Sequence, residues 1–311
     1  MKDCSIDERL ELAFKEKAKC LVCEHDDSRI LGIRGNREYN GADPMASPHL
    51  CTQVVECRNC GFIYTDPQIK GVEFLEVEHY NRPEEYQSDD SQGLLQMYKH
   101  RINFIKTFKP IGTLLDVGAG KGYFVKVAAE SGFRASGIEP SPRFCEFAES
   151  HLNLKIFNGY VKTTGELKGK QFDVITMHHV LEHIEEPHDL LEALKEFLND
   201  DGVIYIEVPN TKSLTSKIID AYFRFKGLEW SSRLSPLHPP FHKYGYNLKS
   251  LRYLIKKHNY KVVSSNTFSA FSREFSAEPQ TNILLRATRR LVVSIVDMIG
   301  NRDMLALVIK K

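Results

Sequence analysis

The chain has almost no net charge. Its 42 lysines and arginines nearly cancel its 41 aspartates and glutamates, leaving a formal +1. A protein dedicated to nucleic acid carries a basic excess to meet phosphates, so this balance argues against one. No apolar run approaches the roughly 18 residues of a membrane helix, so no membrane span is expected. The N-terminal MKDCSIDERL also lacks the apolar core of a secretory signal. Repeats and low-complexity tracts are missing as well. These absences lead to the expectation of a cytoplasmic protein. In a reducing compartment its seven cysteines, an odd number, read as thiols or metal ligands rather than a disulfide framework.

What is present is 311 residues, of which 42% are hydrophobic: enough chain for two domains and enough apolar material to pack them. Residues 1–19 read as an amphipathic helix with Leu10, Leu12, Ala13 and Phe14 among charges. Residues 20–70 are rich in Gly, Pro and paired Cys, and with the first 19 they are expected to form a small N-terminal unit, 1–70, with little core of its own. The segment 71–110 is expected to be a helical linker or lid, with Tyr80 and Tyr86 placed to fold over a ligand. Within it, Leu94, Leu95, Met97, Tyr98, Ile102, Phe104, Ile105 and Phe108 fall at helical spacing before Pro110. Arg101 on that stretch is expected to pair with a carboxylate.

From residue 113 the pattern alternates between short apolar strands and amphipathic helices. Strands are expected at 114–117, 135–138, 155–157, 172–177, 203–208, 262–267 and 305–309. Helices are expected near 122–131, 142–151, 188–198, 248–258 and 281–299, the fourth capped by Asn247. Such alternation implies an α/β domain over 111–311, with a parallel sheet covered on both faces.

The most informative stretch is Leu114-Leu115-Asp116-Val117-Gly118-Ala119-Gly120-Lys121-Gly122. A buried strand runs into three glycines at alternate positions and then into a helix. Glycine allows a tight turn and lets a ligand approach backbone N–H groups, which a helix N-terminus makes attractive to anions. Glu139 stands 21 residues after Gly118, at the end of the next strand. A carboxylate there can accept both hydroxyls of a ribose. The spacing Gly-x-Gly-x-Gly behind Asp116 differs from the dinucleotide fingerprint.

Cys20-x-x-Cys23 and Cys57-x-x-Cys60 form two knuckles separated by 33 residues. Four thiolates so arranged suit tetrahedral Zn²⁺, and four protein ligands leave no open position for chemistry, so the site would be structural. Cys4, Cys51 and Cys145 read as bystanders.

These motifs resemble class I S-adenosylmethionine-dependent methyltransferases. LLDVGAGKG is similar to their first motif, GIEPS to the second, QFDVITMHHVLEHI to the fourth-strand motif and DGVIYIEVPN to the fifth strand. The resemblance implies a Rossmann-like, seven-stranded, mostly parallel sheet whose last strand, Leu305–Ile309, runs antiparallel. It implies that Asp116, Gly118, Gly120 and Gly122 hold the methionyl moiety of S-adenosylmethionine and that Glu139 holds its ribose. Many relatives place an acidic residue after the third strand, by the adenine; here the segment is Asn158-Gly159-Tyr160, with Asn158 and Tyr160 as the two substitutes. His178 joins the cofactor contacts. The run from Cys57 to Pro67 resembles the zinc segment of a subgroup active on deoxysugars and secondary metabolites.

His178-His179-Val180-Leu181-Glu182-His183 follows the fourth strand, at the sheet edge where α/β folds bind ligands. It can be read as the H-x-x-E-H of inverted zinc proteases, as a variant of the Glu-x-x-Glu-His metal motif of ubiquinone-pathway O-methyltransferases, or as a pocket wall with a base. The last is preferred, with His179 as general base, since an imidazole of pKa near 6.5 suits a hydroxyl proton. His242 matches the histidine of a P-x-H segment beside the acceptor in relatives. The expected activity is methyl transfer to a small molecule, at a hydroxyl or carbon of a sugar or secondary metabolite. Two alternatives remain open: an rRNA or tRNA methyltransferase gripping RNA through its zinc unit, aided by Lys15, Lys17 and Lys19, and a non-catalytic scaffold. The acceptor and the oligomeric state stay unassigned.

Overall fold

The computed structural model describes residues 14–16, 18–35, 51–70, 92–236, 240–268 and 301–311. In chain order the strands are β1 (Phe14–Glu16), β2 (Ser28–Gly35), β3 (Cys51–Cys57), β4 (Ile63–Asp66), β5 (Gln68–Lys70), β6 (Thr113–Val117), β7 (Arg134–Glu139), β8 (Phe157–Asn158), β9 (Phe172–His178), β10 (Leu198–Pro209), β11 (Lys261–Phe268) and β12 (Met304–Lys310). The helices are α1 (Gln92–Lys106), α2 (Tyr123–Glu130), α3 (Pro142–Leu152), α4 (Pro187–Phe197), α5 (Leu214–Phe225) and α6 (Leu248–Lys257). None is long and apolar enough to cross a membrane.

The described residues gather into two compact units that do not follow chain order. One draws on Met1–His79, Glu182–Glu185 and Pro209–Leu254. The other draws on Tyr80–Leu181, Glu186–Val208 and Ile255–Lys311.

In the first unit β2, β3 and β4 make an antiparallel sheet, and β1 pairs antiparallel with β5. The helix expected over 1–19 is thus corrected where it can be seen: residues 14–16 are strand, Phe14 facing Lys70. Ladder pairing with a distant strand overrides a short helical pattern. Residues 1–13 and 17 lie outside the described residues, as do Cys4, Tyr80, Tyr86 and the helix expected at 281–299. The side chains of Lys15, Lys17 and Cys51 are outside them too.

Residues 209–254 complete this unit. Ile63 and Gly245 exchange both backbone hydrogen bonds, at 2.7 and 2.9 Å. Phe62 stacks on Tyr244 and meets Tyr246 edge-on, with centroids 6.0 and 4.9 Å away. Val54, Ile63 and Leu234 close a small buried cluster. Asn247 caps α6, its Oδ1 accepting from the N–H groups of Lys249 and Ser250, while its Nδ2 donates to the Gly61 carbonyl.

The second unit is built on a seven-stranded sheet in the order β11-β12-β10-β9-β6-β7-β8. The pairs β10/β9, β9/β6, β6/β7 and β7/β8 are parallel, and β11/β12 is antiparallel. Alternate side chains on a strand face opposite sides, yet both sets are buried here: Leu114, Val174 and Val203 on one side, Leu115, Ile175 and Ile204 on the other. Both faces are therefore covered. The first carries α1 and α2 through Ile102, Ile105, Phe124 and Val127. The expected strand at 155–157 moves to 157–158, and β10 starts at Leu198, ahead of the expected 203.

Arg101 of α1 reaches through this core to Glu207 of β10, Nε to Oε2 at 2.7 Å and a terminal nitrogen to Oε1 at 3.1 Å. Both side chains are buried, Tyr205 donates its hydroxyl to the same carboxylate, and the guanidinium lies 3.9 Å over the Phe268 ring. The expected carboxylate partner of Arg101 is thus found. Burial alone would push Glu207 up, but Arg101 outweighs it and holds the carboxyl below its ordinary range. Replacing Arg101 by Met should leave a buried anion and cost about 3–5 kcal/mol of unfolding free energy. The urea midpoint should fall accordingly. The double variant with Glu207→Leu should recover most of that loss.

Candidate active site and cysteine cluster

Strands β6, β7 and β9 end together because they are parallel neighbours in register, Asp116 lying opposite Gly137 and Thr176. The loop leaving β6 is held flat against β7: the N–H groups of Gly118 and Ala119 donate to the Ile138 carbonyl at 2.9 and 3.1 Å. The Gly120 N–H donates to Glu139 Oε2 and the Ser141 N–H to Oε1, both at 2.9 Å. Two backbone donors thus fix the carboxylate at the mouth of the loop. The burial that comes with this position raises Glu139 above its ordinary range, the two donors opposing it.

Two glycines differ in what surrounds them. A Cβ on Gly122 would lie 2.8 Å from Ile156 Cδ1 and 3.3 Å from the Ala148 methyl, at φ 82°. A Cβ on Gly120, φ 52°, would meet nothing within 4 Å. Gly122 is therefore a packing position at the start of α2, whereas Gly120 opens onto space that a ligand can enter. The residues present fit the expected cofactor cradle: an open approach at Gly120 and the carboxylates of Asp116 and Glu139 at the neighbouring strand ends.

Asp116 is buried and accepts from the Thr176 hydroxyl at 2.7 Å. Burial raises its carboxyl to about 7; the Thr176 bond opposes the rise and the Glu139 charge adds to it. Asn158 donates to the carbonyls of Glu139 and Pro140 at 3.1 and 3.2 Å, pinning the turn after β7. His178 packs against Phe124 and Tyr205, with centroids 4.1 and 5.1 Å away, and Tyr98 lies 6.3 Å off. Burial lowers its pKa to about 4, so the ring is neutral near pH 7. His179 follows at once in a left-handed backbone, φ 56°, its N–H donating to the Glu207 carbonyl. A non-glycine residue in that region is uncommon, though histidine enters it more readily than most.

His242 belongs to the other compact unit. Its Nε2 lies 3.7 Å from Glu182 Oε1, and its ring is 5.3 Å from that of His183. Its N–H reaches Ser235 Oγ at 3.3 Å, and its carbonyl accepts from the Ser235 N–H. The P-x-H proline, Pro240, is described, whereas 237–239 are not.

The same unit brings together Cys20, Cys23, Cys57 and Cys60, with all four Sγ atoms within 4.8 Å of one another. Cys20 and Cys60 are 3.4 Å apart, as are Cys23 and Cys57. None forms a disulfide. A Zn–S length near 2.3 Å implies a tetrahedral S···S edge of about 3.8 Å, so the cluster fits such an ion. The Cys60 contact and burial push Cys20 up, and burial pushes Cys57 up to about 11. Burial acts the same way on Cys23, but the His25 N–H and the Asn59 side chain outweigh it and bring that thiol to about 7.

Residues 86–265 match the family described as "Methyltransferase domain". The chain belongs to that family. The resemblance to class I methyltransferases is thereby borne out, and the chain is a methyltransferase-family enzyme. The "Ubiquinone biosynthesis O-methyltransferase" of Haemophilus ducreyi is 31% identical over 146 residues, covering 41% of this chain and 60% of that protein. The mitochondrial protein of that name from Schizosaccharomyces pombe is 35% identical over 95 residues, 29% of this chain and 35% of its own. The chain thus spans no more than about 60% of the length of these two curated relatives. The fold is shared with magnesium protoporphyrin IX methyltransferase from Synechocystis PCC 6803, solved with bound SAH. The TM-score is 0.50 at 12% identity, covering 77% of this chain and 98% of that one. The cysteine cluster precedes the family match.

Sequence reasoning missed Thr176 and Tyr205. Each acts through its register beside a charged neighbour, which a linear pattern does not reveal. The two glycines give a contrast that can be measured. Gly120→Ala should cost about 1 kcal/mol of unfolding free energy, the price of left-handed backbone alone. Gly122→Ala should cost about 3 kcal/mol, since overpacking against Ile156 is added. Denaturant titration of the two variants checks the order.

Proposed function

We propose that this methyltransferase moves a methyl group from S-adenosylmethionine to a hydroxyl of a small molecule. The observation that carries the reading is the open approach over Gly120, flanked by the buried carboxylates of Asp116 and Glu139. The cofactor would supply a methyl already activated by its sulfonium, so the protein's task is alignment and exclusion of water. Asp116 with Gly118, Gly120 and Gly122 would hold the methionyl end. Glu139, its carboxylate oriented by two N–H groups, would accept the ribose hydroxyls, with Asn158 and His178 bordering the cofactor. His179 or His242 would take the acceptor's proton. A hydroxyl acceptor is supported by the O-methyltransferase names of the relatives, and a small one by the neutral charge balance. A sugar or secondary metabolite is favoured by the likeness of the cysteine segment. Cys20, Cys23, Cys57 and Cys60 would hold a structural Zn²⁺.

Calorimetric titration of the full chain with S-adenosylmethionine tests the reading. Binding near one per chain is expected, weakened about 10- to 100-fold by Glu139→Ala, the range for hydrogen bonds to a charged group. Absence of binding to folded protein would overturn it. Binding of a cation favours ionised Asp116. Affinity should therefore rise as pH climbs through about 7, and this rise should vanish in Asp116→Asn.

Metal analysis tests the cluster separately. About one zinc per purified chain is expected, lost in Cys57→Ser together with part of the unfolding transition. Zinc far below one, unchanged by that substitution, would reject the site.

A further inference from the structure

Helix α5 is amphipathic the wrong way round. Its inward side is largely polar: Ser213 caps it, and buried Asp220 accepts from the N–H and hydroxyl of Ser232 at 2.8 Å and from Arg233 Nε at 2.7 Å. Only Phe223 turns an apolar ring inward, edge-on to Trp230 at 5.4 Å. The outward side is apolar. Ile218, Tyr222 and Phe225, spaced i, i+4 and i+7, are 48%, 55% and 86% exposed, and Ala221 lies exposed among them. Of the ten large apolar side chains exposed among the described residues, four sit on this helix, Ile219 being the other. A clustered apolar face of this kind marks an interaction surface.

Charge selects the occupant. Lys217 and Arg224, seven apart, flank the apolar stripe on one side and Lys226 on the other, its ammonium 5.9 Å from the Tyr222 ring. The helix's one acid, Asp220, is turned inward against Arg233. A second copy docking face to face would bring these cations against their own kind. An anionic bilayer suits both features: apolar side chains enter the acyl boundary while lysine and arginine stems reach back to the headgroups.

We propose that α5 is an interfacial anchor that seats this enzyme reversibly on anionic membrane surfaces. The helix lies in the plane of the interface, with Ile218, Tyr222 and Phe225 immersed and the flanking cations on lipid phosphates. The partner is the bilayer surface itself, and the proposal does not depend on which acceptor the enzyme methylates.

Co-sedimentation of the full chain with large unilamellar vesicles tests it. Expected is binding to phosphatidylcholine with one quarter phosphatidylglycerol, weaker binding to phosphatidylcholine alone, and release as salt rises. The Ile218→Ser, Phe225→Ser double variant should bind at least about tenfold more weakly. Each of Lys217→Glu, Arg224→Glu and Lys226→Glu should cost about fivefold or more. All these side chains are exposed, so the melting temperature should stay unchanged and report that the variants are folded. No binding to anionic vesicles at 50 mM salt, or binding indifferent to these substitutions, would overturn the proposal. A dimer in light scattering that Phe225→Ser converts to monomer would overturn it too, by assigning the face to a second copy.

Discussion

The closeness of the loop after β6 to strand β7 is the constraint on which the site depends. Two N–H groups of the loop share the Ile138 carbonyl, and a third reaches the Glu139 carboxylate one residue further on. That approach is possible only because Gly137 has no side chain: a Cβ there would lie 2.6 Å from the Ala119 methyl and 3.0 Å from Val125. Loop, strand end and α2 are therefore one object. Glu139 is aimed by the same contacts that seat the loop, so the carboxylate's position costs no further ordering when a ligand arrives.

A second fixed point lies across the sheet. Glu207 is tied to Arg101 by a bidentate pair and to the Tyr205 hydroxyl, and its own carbonyl takes the His179 N–H. A buried ion pair is weak evidence of stability, since desolvation offsets much of its attraction. Its value here is positional. It locks α1 to the carboxyl end of β10, beside the left-handed turn that presents His179. His178, whose ring packs on Tyr205, stays neutral in the same apolar setting.

The βα rhythm made the larger unit legible. Apolar strands buried on both faces and helices with one apolar stripe leave a periodic trace, and the glycine loop, Glu139 and the Asn247 cap were readable for the same local reason. What escaped depends on distant partners. Strand β2 shifts register between Ile30 and Gly32, which breaks its alternation, and β8 is only two residues long. Helix α5 escaped because its polar side faces inward. Thr176 meets Asp116 through sheet register, which no window along the chain contains.

The same reasoning explains why chain order misled about the cysteine unit. Between Cys57 and Asp66 the sequence builds one knuckle and one short strand, too little to bury Phe62, Ile63 and Tyr64. All three are nonetheless fully buried. The missing surface comes from about 180 residues downstream. Gly245 lies flat on Ile63, where a Cβ would be 3.1 Å from the Ile63 Cβ, while Tyr244 and Tyr246 bracket Phe62. Lys212 and Arg29 both neutralise buried Glu56, which joins the start of that segment to β3. The segment that completes the knuckle's core is the one that carries His242, two residues before Tyr244. A small cysteine-bearing unit that cannot pack alone therefore borrows its core from the loop bearing a candidate base, and whatever loosens the knuckle reaches that histidine through Phe62 and Tyr244.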